Sequence, residues 1–123
     1  LAEDNELNSE IATTLLEEQG ASITAVENGR LALEAIQNAA PHTYDAILMD
    51  VMMPEMNGLE ATRCIRAFEG KGPGEGTPII AMTANVFADD VKACLDAGMN
   101  SHVGKPLDMK VLIGEILKYT DAR

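Results

Sequence analysis

The sequence predicts an α/β fold in which a parallel sheet is covered on both faces by helices. Three observations predict it. Short apolar runs alternate with stretches of helical periodicity along the chain. One of these runs, Ala46–Met49, is apolar without alternation, as a strand buried on both faces requires. That run ends on an acid, Asp50, with Pro54 and Asn57-Gly58 as punctuation just beyond. A carboxylate at the C-terminal end of a buried strand stands where open α/β sheets hold their ligands. Asp is also a common turn residue, so a turn cap is the plainer reading of Asp50 alone.

The elements follow in order. Leu1-Ala2 and then Glu3-Asp4-Asn5 read as the end of a strand running into a helix cap, with almost none of the strand itself. A helix is expected from Glu6 to Gln19, with Leu7, Ile11 and Leu15 as its inward stripe, Leu16 beside them and Gly20 as its stop. Ser22–Val26 is a short β-rich run. Asn28-Gly29 leads into a second helix, Arg30–Ala39, with Leu33 and Ile36 inward and Pro41 blocking its continuation. The Asp50 strand comes next. A third helix runs from Gly58 to Phe68. Glu69–Thr77 is rich in glycine, but Lys71 is followed by Gly72 rather than Ser or Thr, and the segment follows a helix. It therefore reads as a flexible connector and not a phosphate-binding loop. Pro78–Met82 is a strand with Thr83 at its end. A fourth helix covers Val86–Ala97 and stops at Gly98. Ser101–Gly104 is the last strand, followed by Lys105-Pro106. Asp108 caps a fifth helix carrying Met109, Leu112, Ile113, Ile116 and Leu117 at helical spacing.

Composition narrows the function. The 123 residues suit one domain, 1–123, with a real core. A net charge of −11, from 20 acids against 9 bases, argues against binding a phosphate backbone. It suits a domain that holds a cation or meets a basic partner, and equally a surface charged for solubility. Cys64 and Cys94 have no metal or redox spacing and read as small buried hydrophobes. A reducing, cytoplasmic setting follows as an expectation, without membrane contact by this domain.

Right-handed crossovers place all strand ends of one polarity on one edge of the sheet. Along that edge come Glu3, Asp4, Asp50, Thr83 and Lys105. Taken singly, each has an ordinary explanation as a turn residue, a solvated charge or a helix-dipole acid. Together, three carboxylates repel unless a cation joins them, and Mg²⁺ suits a few carboxylates plus waters and phosphate oxygens. An ammonium and a hydroxyl beside them are what an anionic phosphoryl group needs. Asp50 then reads as the nucleophile of an aspartyl phosphate.

The motifs EDN (Glu3–Asn5), DVMMPEMNG (Asp50–Gly58), MTA (Met82–Ala84) and GKP (Gly104–Pro106) resemble those of response-regulator receiver domains over nearly the whole chain. The stretch IIAMTANVFADDVKACLDAGMNSHVGKPLD is most similar to receivers of hybrid sensor histidine kinases. The resemblance implies a flavodoxin-like, doubly wound five-stranded parallel sheet of order 2-1-3-4-5. It implies that Asp50 takes a phosphoryl group from a phosphohistidine of a histidine kinase or phosphotransfer domain. Mg²⁺ would be held by Glu3, Asp4, Asp50 and the main-chain carbonyl of Met52. Thr83 would be the switch hydroxyl, Lys105 the charge that pairs with the phosphoryl group, and Lys105-Pro106 a cis peptide. The face formed by the fourth helix, last strand and fifth helix would carry the signal, with dimerisation through that face a further expectation.

Three departures accompany the resemblance. Asn57 stands where many receivers have Asp. His102 stands where the switch aromatic is expected. The first strand lacks all but its last residues, which implies a fragment of a longer chain. Two rival readings are a degenerate receiver used only for interaction and a phosphatase of the haloacid-dehalogenase type. The first should lack one of the five site residues, and all five are present. The second places an Asp two residues after the nucleophile, where this chain has Met52.

Overall fold

The computed structural model describes residues 1–40, 43–51, 53, 56–70, 72, 76–83, 88–104 and 108–120. The elements are α1 (Glu6–Glu18), α2 (Gly29–Asn38), β1 (Ile47–Asp50), α3 (Gly58–Glu69), β2 (Ile79–Thr83), α4 (Ala88–Ala97), β3 (Ser101–Gly104) and α5 (Met109–Thr120). β1, β2 and β3 lie side by side and parallel. Ile47 faces Ile79 and Asp50 faces Met82; Ile80 faces Ser101 and Thr83 faces Gly104.

Ala2 extends this sheet by single parallel bridges to Met49 on one side and Val26 on the other. Ala2 N–H donates to Leu48 O at 2.8 Å, and Asp50 N–H to Ala2 O at 2.9 Å. On the far side Val26 N–H donates to Leu1 O at 2.9 Å and Glu3 N–H to Val26 O at 3.0 Å. Counting these two short segments in chain order, the spatial order is 2-1-3-4-5, as the resemblance implies. The expected strand Ser22–Val26 is a correction: only its last residues bond the stretch Leu1–Glu3, so it forms a bridge and not a regular strand.

Strand alternation divides the core. Ile47, Met49, Ile79 and Ala81 point to one face, where they cluster with Ala32 of α2, Ala61 and Ile65 of α3, and Cys94 of α4. Leu48, Ile80, Met82 and Val103 point to the other, against Leu16 of α1 and Leu112 of α5. Each fully buried aliphatic side chain contributes about 1.5–3 kcal/mol. Cys94 is buried, as its helical spacing predicts, while Cys64 is half-buried.

α1 corrects a second expectation. Leu7, Ile11 and Leu15 are exposed by 64%, 50% and 36%, while Ala12 and Leu16 are buried. The inward row is the neighbouring one, turned about 100° around the helix, and its small Ala12 lets the helix approach the sheet. The three larger side chains are left facing outward.

The connector Glu69–Thr77 is not loose at its two ends. Gly70 closes α3 in the left-handed region at φ 67°. Glu69 Oε2 then accepts from Thr77 N–H at 3.0 Å and Thr77 Oγ1 at 2.7 Å. Arg66, on the same helix and buried, donates through Nε to Gly98 O at 2.9 Å. Its Nη1 donates to Glu69 Oε1 at 2.9 Å and Thr77 O at 2.8 Å, and its Nη2 to Asn100 Oδ1 at 2.8 Å. Asn100 Oδ1 also accepts from Ile79 N–H at 2.9 Å, and Tyr119 Oη donates to Asn100 O at 3.1 Å. This network ties α3, the start of β2, the α4–β3 turn and α5 together at the N-terminal end of the strands.

Candidate active site

The opposite end of the sheet gathers the acids. Asp50 is the last residue of β1 and is buried, at 4% exposure. Its backbone is held on both sides: its own N–H reaches Ala2 O, and the next amide, Val51 N–H, reaches Met82 O at 3.2 Å. The bridge at Ala2 brings the following pair, Glu3 and Asp4, to the same edge. Glu3 is buried and Asp4 exposed. One ligand oxygen from each of Glu3, Asp4 and Asp50 lies within 4.8 Å of the others.

The chain turns away at once. Asn5 caps α1, its Oδ1 accepting from Asn8 N–H at 3.0 Å, and Asn5 N–H donates to Glu3 Oε1 at 3.4 Å. Such a cap satisfies orphan amides of the first turn. It also fixes where the acidic pair ends.

Thr83, the last residue of β2, is buried at 7% exposure and lies one step beyond the level of Asp50 on the adjacent strand. His102 sits mid-β3 opposite Ala81, half-buried. Of the sequence-derived site residues, Glu3, Asp4 and Asp50 are brought together, Thr83 is placed on the neighbouring strand end, and His102 lies further down the sheet. Met52, Lys105, Pro106 and the Lys105-Pro106 bond lie outside the described residues.

Two glycines matter here beyond the punctuation that their place in the sequence suggests. Gly58 N–H donates to Val51 O at 2.9 Å. A Cβ on Gly58 would overlap the Asp50 carbonyl oxygen and lie 3.0 Å from Met49 Cγ. Gly29 N–H donates to Met56 O at 3.0 Å. Each glycine is the first residue of its helix and follows an asparagine cap: Asn28 Oδ1 accepts from Leu31 N–H at 2.8 Å and Asn57 Oδ1 from Glu60 N–H at 2.9 Å. The repeated Asn-Gly dipeptide is the signal that the sequence offers for both.

Three carboxylates at this spacing repel one another, and a divalent cation is the simplest group that reconciles them. The sequence profile of the response regulator receiver domain matches residues 1–117. The chain belongs to that family. Among curated relatives, the receiver is 40% identical over 118 residues to the sensor protein GacS of Pseudomonas syringae pv. syringae, covering 96% of this chain and 13% of that protein. It is 40% identical over 138 residues to probable histidine kinase 1 of Oryza sativa subsp. indica, covering 89% of this chain and 14% of that one. The receiver thus spans about one-seventh of the length of such relatives.

Among solved structures, the receiver domain of a Pseudomonas aeruginosa PAO1 sensor histidine kinase matches at TM-score 0.84 and 36% identity, over 98% of this chain and 93% of that one. That domain has a magnesium ion coordinated in its active site cleft. The co-crystal structure of the Saccharomyces cerevisiae phosphotransfer protein Ypd1 with the receiver domain of Ssk1 matches at TM-score 0.85 and 28% identity, over 98% and 86% of the chains. Among the described residues, no helix of this receiver is long and apolar enough to cross a membrane.

Proposed function

We propose that this receiver is a phosphoacceptor: Asp50 takes a phosphoryl group from a phosphohistidine, and Thr83 and His102 turn that event into a change of surface. The observation that carries the reading is the convergence of Glu3, Asp4 and Asp50, from two adjacent chain segments, on one strand-end site. Those acids fit Mg²⁺, which prefers few carboxylates at short range. Glu3, Asp4 and Asp50 would hold it, with the Met52 carbonyl as a further ligand. When bound, it supplies positive charge against the acids and the phosphoryl oxygens.

Asp50 is oriented by the two backbone bonds that flank it. Its carboxylate forms an O–P bond as the N–P bond of the partner's phosphohistidine breaks, the departing nitrogen keeping the bonding pair. Burial of Asp50 and Thr83 limits water at the new acyl phosphate. Thr83 Oγ1 is a hydroxyl one step along the neighbouring strand, suited to donate to a phosphoryl oxygen. Lys105, which follows the partner of Thr83 in sequence, would supply the opposing charge.

The partner is a histidine kinase or phosphotransfer domain, cytoplasmic with this domain. The outward row Leu7, Ile11 and Leu15 starts three residues after Asp4 and offers an apolar stripe to a partner helix. A second outward set, Leu95 on α4 with Val111 and Leu117 on α5, belongs to the face that would carry the signal and could pair two copies.

The test is labelling with acetyl phosphate and Mg²⁺, read as the mass of one added phosphoryl group. Asp50→Asn abolishes the label, and so does chelation of the metal. Labelling that survives both changes refutes the reading.

A further inference from the structure

The segment that follows Asp50 runs into the cap of α3, and its end is held from α2. Of its described residues, Val51, Met53 and Met56 pack against the same core as Leu33 and Ile36 of α2. The direct tie is at the start of that helix. Gly29 N–H donates to Met56 O at 3.0 Å, from a helix whose position is set by the buried cap Asn28. The contact leaves no room for a side chain. A Cβ on Gly29 would overlap the Met56 carbonyl oxygen, and would stand 2.9 Å from Ala61 Cβ and 3.0 Å from Asn57 O. Both backbone oxygens belong to the turn that leads into Gly58, and Gly58 in turn bonds Val51, next to Asp50.

We infer that Gly29 is a positioning residue for phosphoryl transfer: by bonding Met56 O at close quarters it fixes the turn behind Asp50. This rests on the phosphoacceptor reading above. The physical reason is geometric. The N–H of a helix's first residue has no partner within its own helix, so it can serve a neighbouring carbonyl. Only glycine lets the two backbones come this near. Gly29 touches neither metal nor phosphoryl group. It acts through Met56, Asn57 and Gly58 on the backbone of Val51 and Asp50. By contrast, a Cβ added at Gly20 or Gly114 would meet nothing within 4 Å, so neither carries such a constraint.

The experiment compares Gly29→Ala with Ala32→Gly. Ala32 is a buried residue of the same helix, so its variant loses stability without adding a group against the turn. In Gly29→Ala the NMR amide resonances of Asp50, Val51 and Gly58 shift without metal or phosphoryl donor, and labelling by acetyl phosphate slows about ten- to hundredfold. In Ala32→Gly, at equal or lower melting temperature, the same amides and the labelling rate stay close to wild type. Equal amide positions in Gly29→Ala and wild type overturn the inference, as does slowing of the same size in both variants. If Gly29→Ala does not fold, Asn28→Ala takes its place: it removes the cap and adds nothing. It should shift the same amides, and its failure to do so overturns the inference. A wild-type chain that does not label refutes the phosphoacceptor reading, while the amide positions still decide whether Gly29 holds the turn.

Discussion

At the N-terminal end of the strands, Arg66 turns every guanidinium nitrogen to an acceptor: Gly98 O, Glu69, Thr77 O and Asn100. At the C-terminal end, Glu3, Asp4 and Asp50 bring oxygens of one sign within 4.8 Å of each other. Both ends hold buried charge. In the first arrangement opposite charges and directed donors work against desolvation, and removing one partner would leave the other buried and unpaired. The second sets like charges side by side, which a cation would relieve. Burial pulls Arg66 below its ordinary value, with Glu69 opposing the shift. Burial pushes Glu69 up, but bonds from Thr77 and the nearby guanidinium outweigh it and leave the carboxyl below its ordinary value. One end, the holding end, therefore pairs opposite charges and the other, the acidic end, gathers like ones, within the same small sheet.

The largest effect should come from breaking the holding end. Arg66→Ala leaves Glu69 without its cation and Asn100 and Thr77 without their donor. Loss of one partner of a buried pair costs about 3–5 kcal/mol. The check is the urea midpoint at pH 7; a loss no larger than that of an exposed pair such as Arg30–Glu34 would erase the contrast between the two ends.

The acidic end should respond with the opposite sign. Asp50→Asn removes one of three like charges, so the chain without Mg²⁺ is no less stable than wild type. Added Mg²⁺ then stabilises the wild type, by about 2.7 kcal/mol at a hundred times its Kd. The variant gains less than half of that. Melting curves across a Mg²⁺ series decide it, and equal gains in both chains would show that Asp50 is not a ligand.

How much of this can be read from the sequence differs between the two ends. The acidic end is legible because Asp50 closes an apolar run and Glu3-Asp4 follow Leu1-Ala2, and the sheet's polarity then puts them on one edge. The receiver motifs name the same residues. The holding end is not legible. Arg66 lies on the inner side of a helix, where spacing alone cannot tell a buried guanidinium from a solvated one. Its acceptors Gly98 and Asn100 are more than thirty residues away. The glycines around it read as a loose loop. In fact a Cβ at Gly76 would overlap Glu69 Oε1 and one at Gly98 would stand 2.9 Å from Arg66 Cγ, so both make room for the pair. Gly98 also takes φ 111°, which a helix stop predicts but an arginine contact does not. On α1 the sequence carries the right periodicity but misleads on its phase. The row 7-11-15 lies next to the face that carries Ala12 and Leu16, and side-chain size alone favours the wrong one as the inward row. The structure keeps Leu7, Ile11 and Leu15 outside.

The smallest effect, and the finest test of the contrast, concerns pH. The folded-state pKa of Glu69 lies below its ordinary value of 4.5. A carboxyl of this kind binds fewer protons folded than unfolded, so its contribution to stability is complete above about pH 4.5 and is lost as pH falls through the lower folded value. Glu69→Gln keeps an acceptor for Arg66 but not the charge, and should cost about 1–2 kcal/mol at pH 7. Below pH 4.5 the wild-type chain loses that advantage, so the two urea midpoints converge as the carboxyl is protonated. A gap that stays constant from pH 7 to pH 3 would mean that Glu69 contributes through its hydrogen bonds to Thr77 alone. The holding end would then owe nothing to opposite charge, and its difference from the acidic end would be one of hydrogen bonding only.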